Sequence, residues 1–131
     1  MQFTSVRIIS QIIDPMVEFY QNVIGIPAVI YTPDFAEIKT PLSTLAIGSV
    51  NTLAFFGDEN MAQPGTNRSA IIEFMVDDVD AKYQQIKDFV KNNLVQEPTT
   101  MPWGNRSLLF RDPDGNLINF FTPQARPQPQ S

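Results

Sequence analysis

Few residues of this chain are of the types that most enzymes use for chemistry. Its 131 residues include no histidine and no cysteine. The commonest transition-metal ligand, the usual general base near neutral pH and every thiol nucleophile are therefore missing. Disulfides, cysteine zinc sites and iron–sulfur clusters are excluded for the same reason. The side chains on predicted strands that could still bind or polarise a ligand include Arg7, Glu73 and Asn119.

The charge of the chain indicates which classes of partner it can bind. Nine Lys and Arg against fourteen Asp and Glu give a formal net charge of −5, which argues against nucleic-acid binding. The negative charge would attract a cationic ligand, but it is also typical of proteins that are simply soluble. No apolar run approaches the roughly 20 residues of a membrane span. The first residues, 1–5, lack the basic start of a signal peptide. We therefore expect no nucleic-acid or membrane partner and a cytoplasmic location.

The apolar pattern predicts the same order of elements twice. One helix begins at Asp14 and Pro15, with Asp14 as its N-cap, and ends at Gly25. A second helix opens with Asp77-Asp78-Val79-Asp80, which places acidic residues in its first turn. Enrichment in β-branched and aromatic residues predicts strands over residues 3–9, 27–32, 43–47, 51–56, 70–76, 94–97, 107–111 and 116–121.

These elements form two similar units. They span about residues 1–57 and 68–122 of one domain, joined by a polar linker. Tight turns are predicted at Gly48-Ser49 and at the Asp-Pro-Asp-Gly sequence that starts at Asp112. The Pro- and Gln-rich residues 123–131 are predicted to be disordered.

Alternation along the strands separates an apolar face from a mixed one. The mixed face carries Ser5, Arg7, Glu73 and Asn119 among apolar and aromatic residues. A few polar groups among apolar ones are typical of a ligand pocket, but also of the solvent-facing side of an antiparallel sheet. Both interpretations stay open, as does a simple ion pair between Arg7 and Glu73.

Three segments resemble a known family. Phe19-Tyr20-Gln21-Asn22-Val23-Ile24-Gly25 is similar to the F-Y-x-x-x-(L/I)-G helix end of the vicinal oxygen chelate superfamily, and residues 74–80 (FMVDDVD) are similar to the opening of its second unit. Trp103-Gly104, followed by residues 110–116 (FRDPDGN), resembles its most specific motif. The superfamily includes glyoxalase I, extradiol dioxygenases, fosfomycin-resistance enzymes and bleomycin-resistance proteins. The resemblance implies an α+β fold of two βαβββ units that form an open half-barrel sheet around a cavity.

The resemblance also implies where a metal would bind. The corresponding ligand positions are occupied by Ser5, Ile71 and Asn119, and residues 53–56 offer no Glu or His at the fourth. This set without a carboxylate is a poor site for a transition metal. We therefore expect no metal, no cofactor and no catalytic residue. The protein then looks most similar to the bleomycin-resistance-like members, small acidic homodimers that sequester a drug in a cavity at the subunit junction.

Several residues are candidates for contacting a ligand. Trp103 is interpreted as an aromatic lid, with a core position as the alternative. Phe55 and Phe56 are neighbours on a predicted strand, so one should face the cavity and the other the helices. Arg106 could orient a ligand anion or simply be solvated, and Phe35 is expected in a solvated loop. The full candidate set is Ser5, Arg7, Tyr31, Phe55, Phe56, Glu73, Trp103, Arg106, Asn119 and Phe121.

The leading prediction is metal-free binding of a cationic or aromatic small molecule, as in antibiotic or toxin sequestration. The alternative is a metal-independent isomerase or lyase in which Glu73, if buried, acts as base with Arg7 as its electrostatic partner. A structural dimer with a vestigial cavity is the third hypothesis.

Overall fold

The computed structural model of the protein describes residues 1–58 and 60–124. Of the predicted disordered tail, residues 125–131 lie outside the described residues. The chain divides into two compact units, residues 1–67 and a second unit that begins at Arg68. Each unit contains a four-stranded mixed sheet that does not close into a barrel. The predicted α+β fold with a repeated βαβββ order is confirmed.

The first unit has one parallel strand pair and two antiparallel pairs. Its strands are in the order β1-β4-β3-β2, with β1 parallel to β4. The elements are β1 (Ser5–Ser10), α1 (Asp14–Ile24), β2 (Val29–Thr32), β3 (Phe35–Lys39), β4 (Thr44–Ser49) and a 3₁₀ helix (Val50–Phe56).

Helix α1 is set by residues at its two ends. Pro15 lies in the first turn, where its missing N–H costs no hydrogen bond. Gly25 ends the helix with φ 83°, and its N–H donates to the Gln21 carbonyl at 2.9 Å. The N-cap is Ile13 and not the predicted Asp14. The buried side of α1, which contacts β3, consists of Met16, Val17, Tyr20 and Val23.

The last part of the first unit differs from the prediction. Residues 51–56 are not a strand but belong to the 3₁₀ helix. The third strand of the βαβββ order is instead β3, which was not predicted. The Ser49 hydroxyl accepts a hydrogen bond from the Asn51 N–H at 3.1 Å and so caps the 3₁₀ helix. The predicted turn at Gly48 and Ser49 is also wrong, because both residues end β4.

The second unit repeats the topology of the first. Its strands are in the order β5-β8-β7-β6, with β5 parallel to β8. The elements are β5 (Ile71–Met75), α2 (Val79–Val90), β6 (Leu94–Thr100), β7 (Arg106–Arg111) and β8 (Leu117–Thr122). Asp78 caps α2 by accepting from the Ala81 N–H at 3.1 Å. No helix among the described residues is long and apolar enough to cross a membrane.

The turn between β7 and β8 depends on Asp112. Its Oδ1 accepts hydrogen bonds from the backbone N–H groups of Asp114 and Asn116, each at 2.9 Å. Gly115 closes the turn with φ 86° and donates to the Asp112 carbonyl at 2.9 Å. The role of Asp112 as a turn residue is confirmed.

Candidate functional site

The two faces of the first sheet differ in chemistry. Register places Arg7 beside Ala46 and Ala46 beside Glu37, so these three residues share one face with Phe35. The opposite face carries Ile8, Ile38 and Ile47, all buried. A charged and aromatic surface therefore lies on the side of this sheet away from its aliphatic core residues.

A groove of about 480 Å³ opens on this charged and aromatic side. Its volume lies within the roughly 300–1,000 Å³ of small-molecule sites. The 3₁₀ helix forms one side of the groove, and β1 and the start of β3 contribute other lining residues. The lining consists of Arg7, Thr32, Asp34, Phe35, Asn51, Thr52, Phe55 and Phe56. We call this the Arg7 groove.

Arg7 is the cationic group of the groove. Its Cζ lies 5.5 Å from the centre of the Phe35 ring and 5.2 Å from that of Phe56. Both distances are within the range of cation–π attraction. Arg7 is exposed, and among the described residues its side chain forms no ion pair and donates no hydrogen bond. Its guanidinium donors are thus available to a ligand.

Gly48 gives the Arg7 side chain its space. A Cβ at this position would lie 3.0 Å from Arg7 Cδ and 3.0 Å from Thr52 Oγ1. The Thr52 hydroxyl is itself held, because it donates to the Ser49 carbonyl at 2.7 Å. The missing side chain at Gly48 therefore lets the Arg7 chain pass close to the end of β4.

Asp34 is the acidic residue of the groove lining, and its hydrogen bonds hold neighbouring segments together. Its Oδ1 accepts from Ser49 Oγ at 2.6 Å and from Asn51 Nδ2 at 3.1 Å. Its backbone N–H donates to Thr32 Oγ1 at 3.0 Å. These bonds tie the β2–β3 turn to the start of the 3₁₀ helix. The sequence analysis missed this role, because nothing local marks Asp34 as a partner of Ser49 and Asn51.

Tyr31 and Lys39 lie next to this groove without lining it. The Tyr31 and Phe35 ring centres are 5.9 Å apart, and Lys39 Nζ lies 5.9 Å from the centre of the Tyr31 ring. Hydrogen bonding to Tyr31, with smaller contributions from the charges of Tyr31 and Glu37, raises the pKa of Lys39. Lys39, like Arg7, therefore lies beside an aromatic ring, but it is not part of the groove lining.

Phe55 and Phe56 do not divide between a cavity and a core. Their relative exposures are 89% and 55%, and both line the groove. The prediction that one would face the helices is wrong, because the 3₁₀ helix removes the alternation of a strand. Phe35 is likewise the first residue of β3 and not part of a loop.

In the second unit, Glu73 and Asn119 are register partners on adjacent strands. Asn119 Nδ2 donates to Glu73 Oε2 at 2.8 Å. Asn119 is only 8% exposed and its Oδ1 is buried without a partner among the described residues, whereas Glu73 is exposed. A role of Glu73 as a base was expected only if its carboxyl group is buried, and within this unit the side chain is exposed.

Arg106 is engaged by helix α2. Its Nε and Nη2 donate to the two carboxylate oxygens of Asp80 at 2.8 and 3.0 Å, and Nη1 donates to Thr100 Oγ1 at 3.2 Å. The hydrogen bond from Arg106 lowers the pKa of Asp80. This bidentate pair joins β7 to the first turn of α2.

The remaining candidates are Ser5, Trp103 and Phe121, none of which lines the Arg7 groove. Trp103 lies in the β6–β7 loop and is 57% exposed, so a core position is wrong. Ser5 is exposed at the start of β1, and Phe121 is half-buried in β8 beside Ser107.

The donor set does not fit a divalent metal. Ser5, Ile71 and Asn119 supply no ionised ligand, and the Asn119 amide is hydrogen-bonded to Glu73. Within residues 1–58 and 60–124, no three Asp or Glu residues are close enough together to hold a metal ion. Catalytic transition-metal sites need several His, Cys or carboxylate ligands. We therefore derive no chemistry through a metal.

Comparison with known proteins identifies the family. The model of the Glyoxalase/Bleomycin resistance protein/Dioxygenase superfamily matches residues 2–120. The chain belongs to this superfamily. A relative, "Uncharacterized protein YraH" of Bacillus subtilis (strain 168), is 26% identical over 125 residues, which cover 92% of this chain and 98% of that protein.

Solved structures agree with the superfamily fold. A glyoxalase/bleomycin resistance protein/dioxygenase from Nocardioides has a TM-score of 0.81 at 19% identity, covering 100% of this chain and 90% of that one. A family enzyme from Burkholderia phytofirmans PsJN has a TM-score of 0.80 at 17% identity, covering 93% and 98%. A protein of unknown function from Agrobacterium tumefaciens str. C58 has a TM-score of 0.78 at 25% identity, covering 93% and 94%.

Proposed function

We propose that the protein binds a small aromatic molecule in the Arg7 groove without a metal, and that binding itself is its function, as in sequestration of an antibiotic or toxin. The observation that carries this proposal is the combination in one groove of an unpaired Arg7 with the exposed rings of Phe55 and Phe56. Bleomycin resistance, one of the activities in the superfamily name, makes a drug a reasonable ligand class.

Aromatic rings at the groove favour a flat apolar ligand. Two large rings in contact with water leave apolar area that a ligand can cover at about 25 cal/mol per Å². Offset or edge-to-face contact with a ligand ring adds roughly 0.5–1.5 kcal/mol per aromatic pair. Micromolar affinity corresponds to about −8.2 kcal/mol. Phe35, Phe55 and Phe56 together with Arg7 give the groove the type of contacts needed for that affinity.

The side chains available argue for binding over turnover. The chain has no His or Cys, so a serine or threonine hydroxyl has no imidazole to activate it. Glu73, the proposed base of the alternative function, is exposed and holds the Asn119 amide. Neither observation favours an isomerase or lyase.

A second copy of the chain is proposed to complete the binding site. Apolar side chains in both units are strongly exposed, among them Phe3 at 79% and Met75 at 69%. Burying such side chains is a common reason for homodimer formation. Size-exclusion chromatography with light scattering should give twice the chain mass of 14.8 kDa. A monomer at 100 μM would contradict the dimer and, with it, the completion of the site by a second copy. Ligand binding by that monomer would show that the Arg7 groove of one chain is sufficient.

Calorimetric titration with a matched panel tests the function. The compounds are 2-naphthoate, 2-naphthamide, 2-naphthylmethylammonium and the non-aromatic cyclohexanecarboxylate. We expect saturable binding of at least one naphthyl compound, weaker binding of cyclohexanecarboxylate, and unchanged ligand by proton NMR after a day. Failure of every naphthyl compound to bind at millimolar concentration, or conversion of a bound compound into product, would contradict the proposal.

A further inference from the structure

We infer that the ligand of the Arg7 groove carries a carboxylate, which the Arg7 guanidinium binds through paired hydrogen bonds. This inference rests on the proposed function and adds the charge of the ligand to it. The whole chain has a net charge of −5, which by itself would attract a cation. The inferred carboxylate ligand has the opposite charge. The charges near the ligand determine its preferred charge. The interaction energy falls with distance, so ligand atoms a few ångströms from Arg7 interact more strongly with that group than with distant, screened surface charges.

The contacts of Arg7 orient its guanidinium without using its donors. The rings of Phe35 and Phe56, at 5.5 and 5.2 Å, interact with the cation through their faces. Ring faces offer little competition for the N–H groups at the edge of the guanidinium plane. That edge matches the two oxygens of a carboxylate, and such paired, charge-assisted hydrogen bonds are among the stronger ones in proteins.

Among the described residues of the first unit, no carboxylate forms an ion pair with Arg7. Asp34 also lines the groove, but its Oδ1 already accepts from Ser49 and Asn51. Glu37 shares the sheet face but is two strands from Arg7, with Ala46 between them. Strands lie about 4.8 Å apart, which separates these two backbones by roughly 10 Å. Among the described residues, no carboxylate is therefore within ion-pair distance of Arg7.

Lys39 is a second cation of the first unit and differs from Arg7 in its position. It lies on the same sheet face as Arg7, yet it is outside the groove lining and already interacts with Tyr31. Arg7 is the only cation in the groove lining, as judged over the part of the chain that the structure describes, and its contacts there are with ring faces. Aromatic rings beside one free guanidinium fit an aromatic carboxylate better than an aromatic cation, which Arg7 would repel.

Matched ligands and variants test this inference. Wild-type protein should bind 2-naphthoate at least about tenfold more tightly than 2-naphthamide, the size of effect expected of a hydrogen bond to a charged group. In Arg7→Met this preference should disappear while the affinity for 2-naphthamide stays within about twofold, because the apolar contacts remain. Lys39→Met, which removes the same charge from the same sheet face, should keep the preference.

A second measurement needs no variant. Increasing sodium chloride from 20 to 500 mM should weaken 2-naphthoate binding to the wild-type protein and leave 2-naphthamide binding unchanged. Equal affinity for the two ligands, preference for 2-naphthylmethylammonium, or an unchanged preference in a folded Arg7→Met would overturn the carboxylate inference while leaving aromatic binding intact. Absence of binding by all naphthyl compounds would overturn the proposed function and this inference with it.

Discussion

The guanidinium carbon of Arg7 lies 5.2 Å from the centre of the Phe56 ring. Arg7 is on β1, the first strand of the chain, and Phe56 ends the 3₁₀ helix that follows β4. Because β1 and β4 are parallel neighbours, the helix that leaves β4 is close to β1. The contact therefore follows from the strand order of the unit, and it brings together a cation and an aromatic ring separated by 48 intervening residues.

Removing the Phe56 ring should weaken ligand binding with little effect on folding. Phe56 is 55% exposed, so its truncation leaves no buried cavity. We expect Phe56→Ala to bind 2-naphthoate roughly two- to tenfold more weakly, the equivalent of about 0.5–1.5 kcal/mol for one aromatic pair. Calorimetry measures the affinity and urea unfolding the stability. Phe89→Ala, which removes a ring of similar exposure (53%) from α2, is the control and should bind normally. Equal loss in both variants would contradict a local role for Phe56.

A methyl group at Gly48 should displace the Arg7 side chain. The new Cβ would lie 3.0 Å from both Arg7 Cδ and Thr52 Oγ1, which is closer than side chains normally approach. We expect Gly48→Ala to lose 2-naphthoate affinity while retaining 2-naphthamide binding, with about 1–3 kcal/mol less stability from overpacking. In an Arg7→Met background, the same change should cause no further loss of 2-naphthoate affinity. An additional loss in that background would show that Gly48 acts by a route other than Arg7.

The Asp80–Arg106 pair should make stability depend on pH. The hydrogen bond from Arg106 lowers the pKa of Asp80 below its ordinary value of 3.8. A lowered folded-state pKa adds stability above the unfolded-state pKa, and this stability is lost as the pH falls through the folded-state value. Wild-type protein should therefore be more stable than Asp80→Asn at pH 7, and the difference should shrink below pH 3.8.

Urea unfolding of both proteins between pH 2.5 and pH 7 measures this difference. Asp88→Asn is the matched control, since Asp88 also lies on α2 and forms no ion pair among the described residues. A stability difference for Asp80→Asn that is constant across the whole range would contradict a contribution from the charged pair.

Glu73→Gln should leave ligand binding intact. A glutamine oxygen can still accept the Asn119 hydrogen bond that now measures 2.8 Å. We expect a stability change of about 1 kcal/mol or less and unchanged affinity for 2-naphthoate. Proton NMR on wild type and variant with each panel compound tests the alternative function. A compound that the wild type converts and Glu73→Gln does not would establish Glu73 as a base and contradict pure binding.

Local signals explain what the sequence predicted well. Pro15 and Gly25 define both ends of α1, and the Asp112 carboxylate organises the β7–β8 turn through bonds to residues two and four positions away. Such interactions need no knowledge of the rest of the chain. The order of elements could therefore be predicted. The superfamily was indicated separately, by the resemblance of residues 19–25, 74–80 and 110–116 to its motifs.

Local caps, a weak apolar pattern and one non-local contact explain what was missed. The β-propensity of residues 51–56 predicted a strand, but the Ser49 cap and Gly57, with φ 89°, give a 3₁₀ helix instead. Strand β3 has only Ala36 and Ile38 as its buried residues, too few for a clear alternating pattern. Of the candidate site, Arg7, Phe55 and Phe56 could be named beforehand. Asp34 could not, because its role appears only when its turn meets Ser49 and Asn51.

Backbone NMR during a titration tests most directly whether ligand binds in the Arg7 groove. In ¹H–¹⁵N spectra of the labelled wild-type protein, increasing 2-naphthoate should produce saturable shifts of the Arg7, Gly48, Thr52 and Phe56 amides, and these shifts should be reduced in Arg7→Met. Absence of saturable shifts at these amides, or saturable shifts confined to residues of the second unit, would contradict the account.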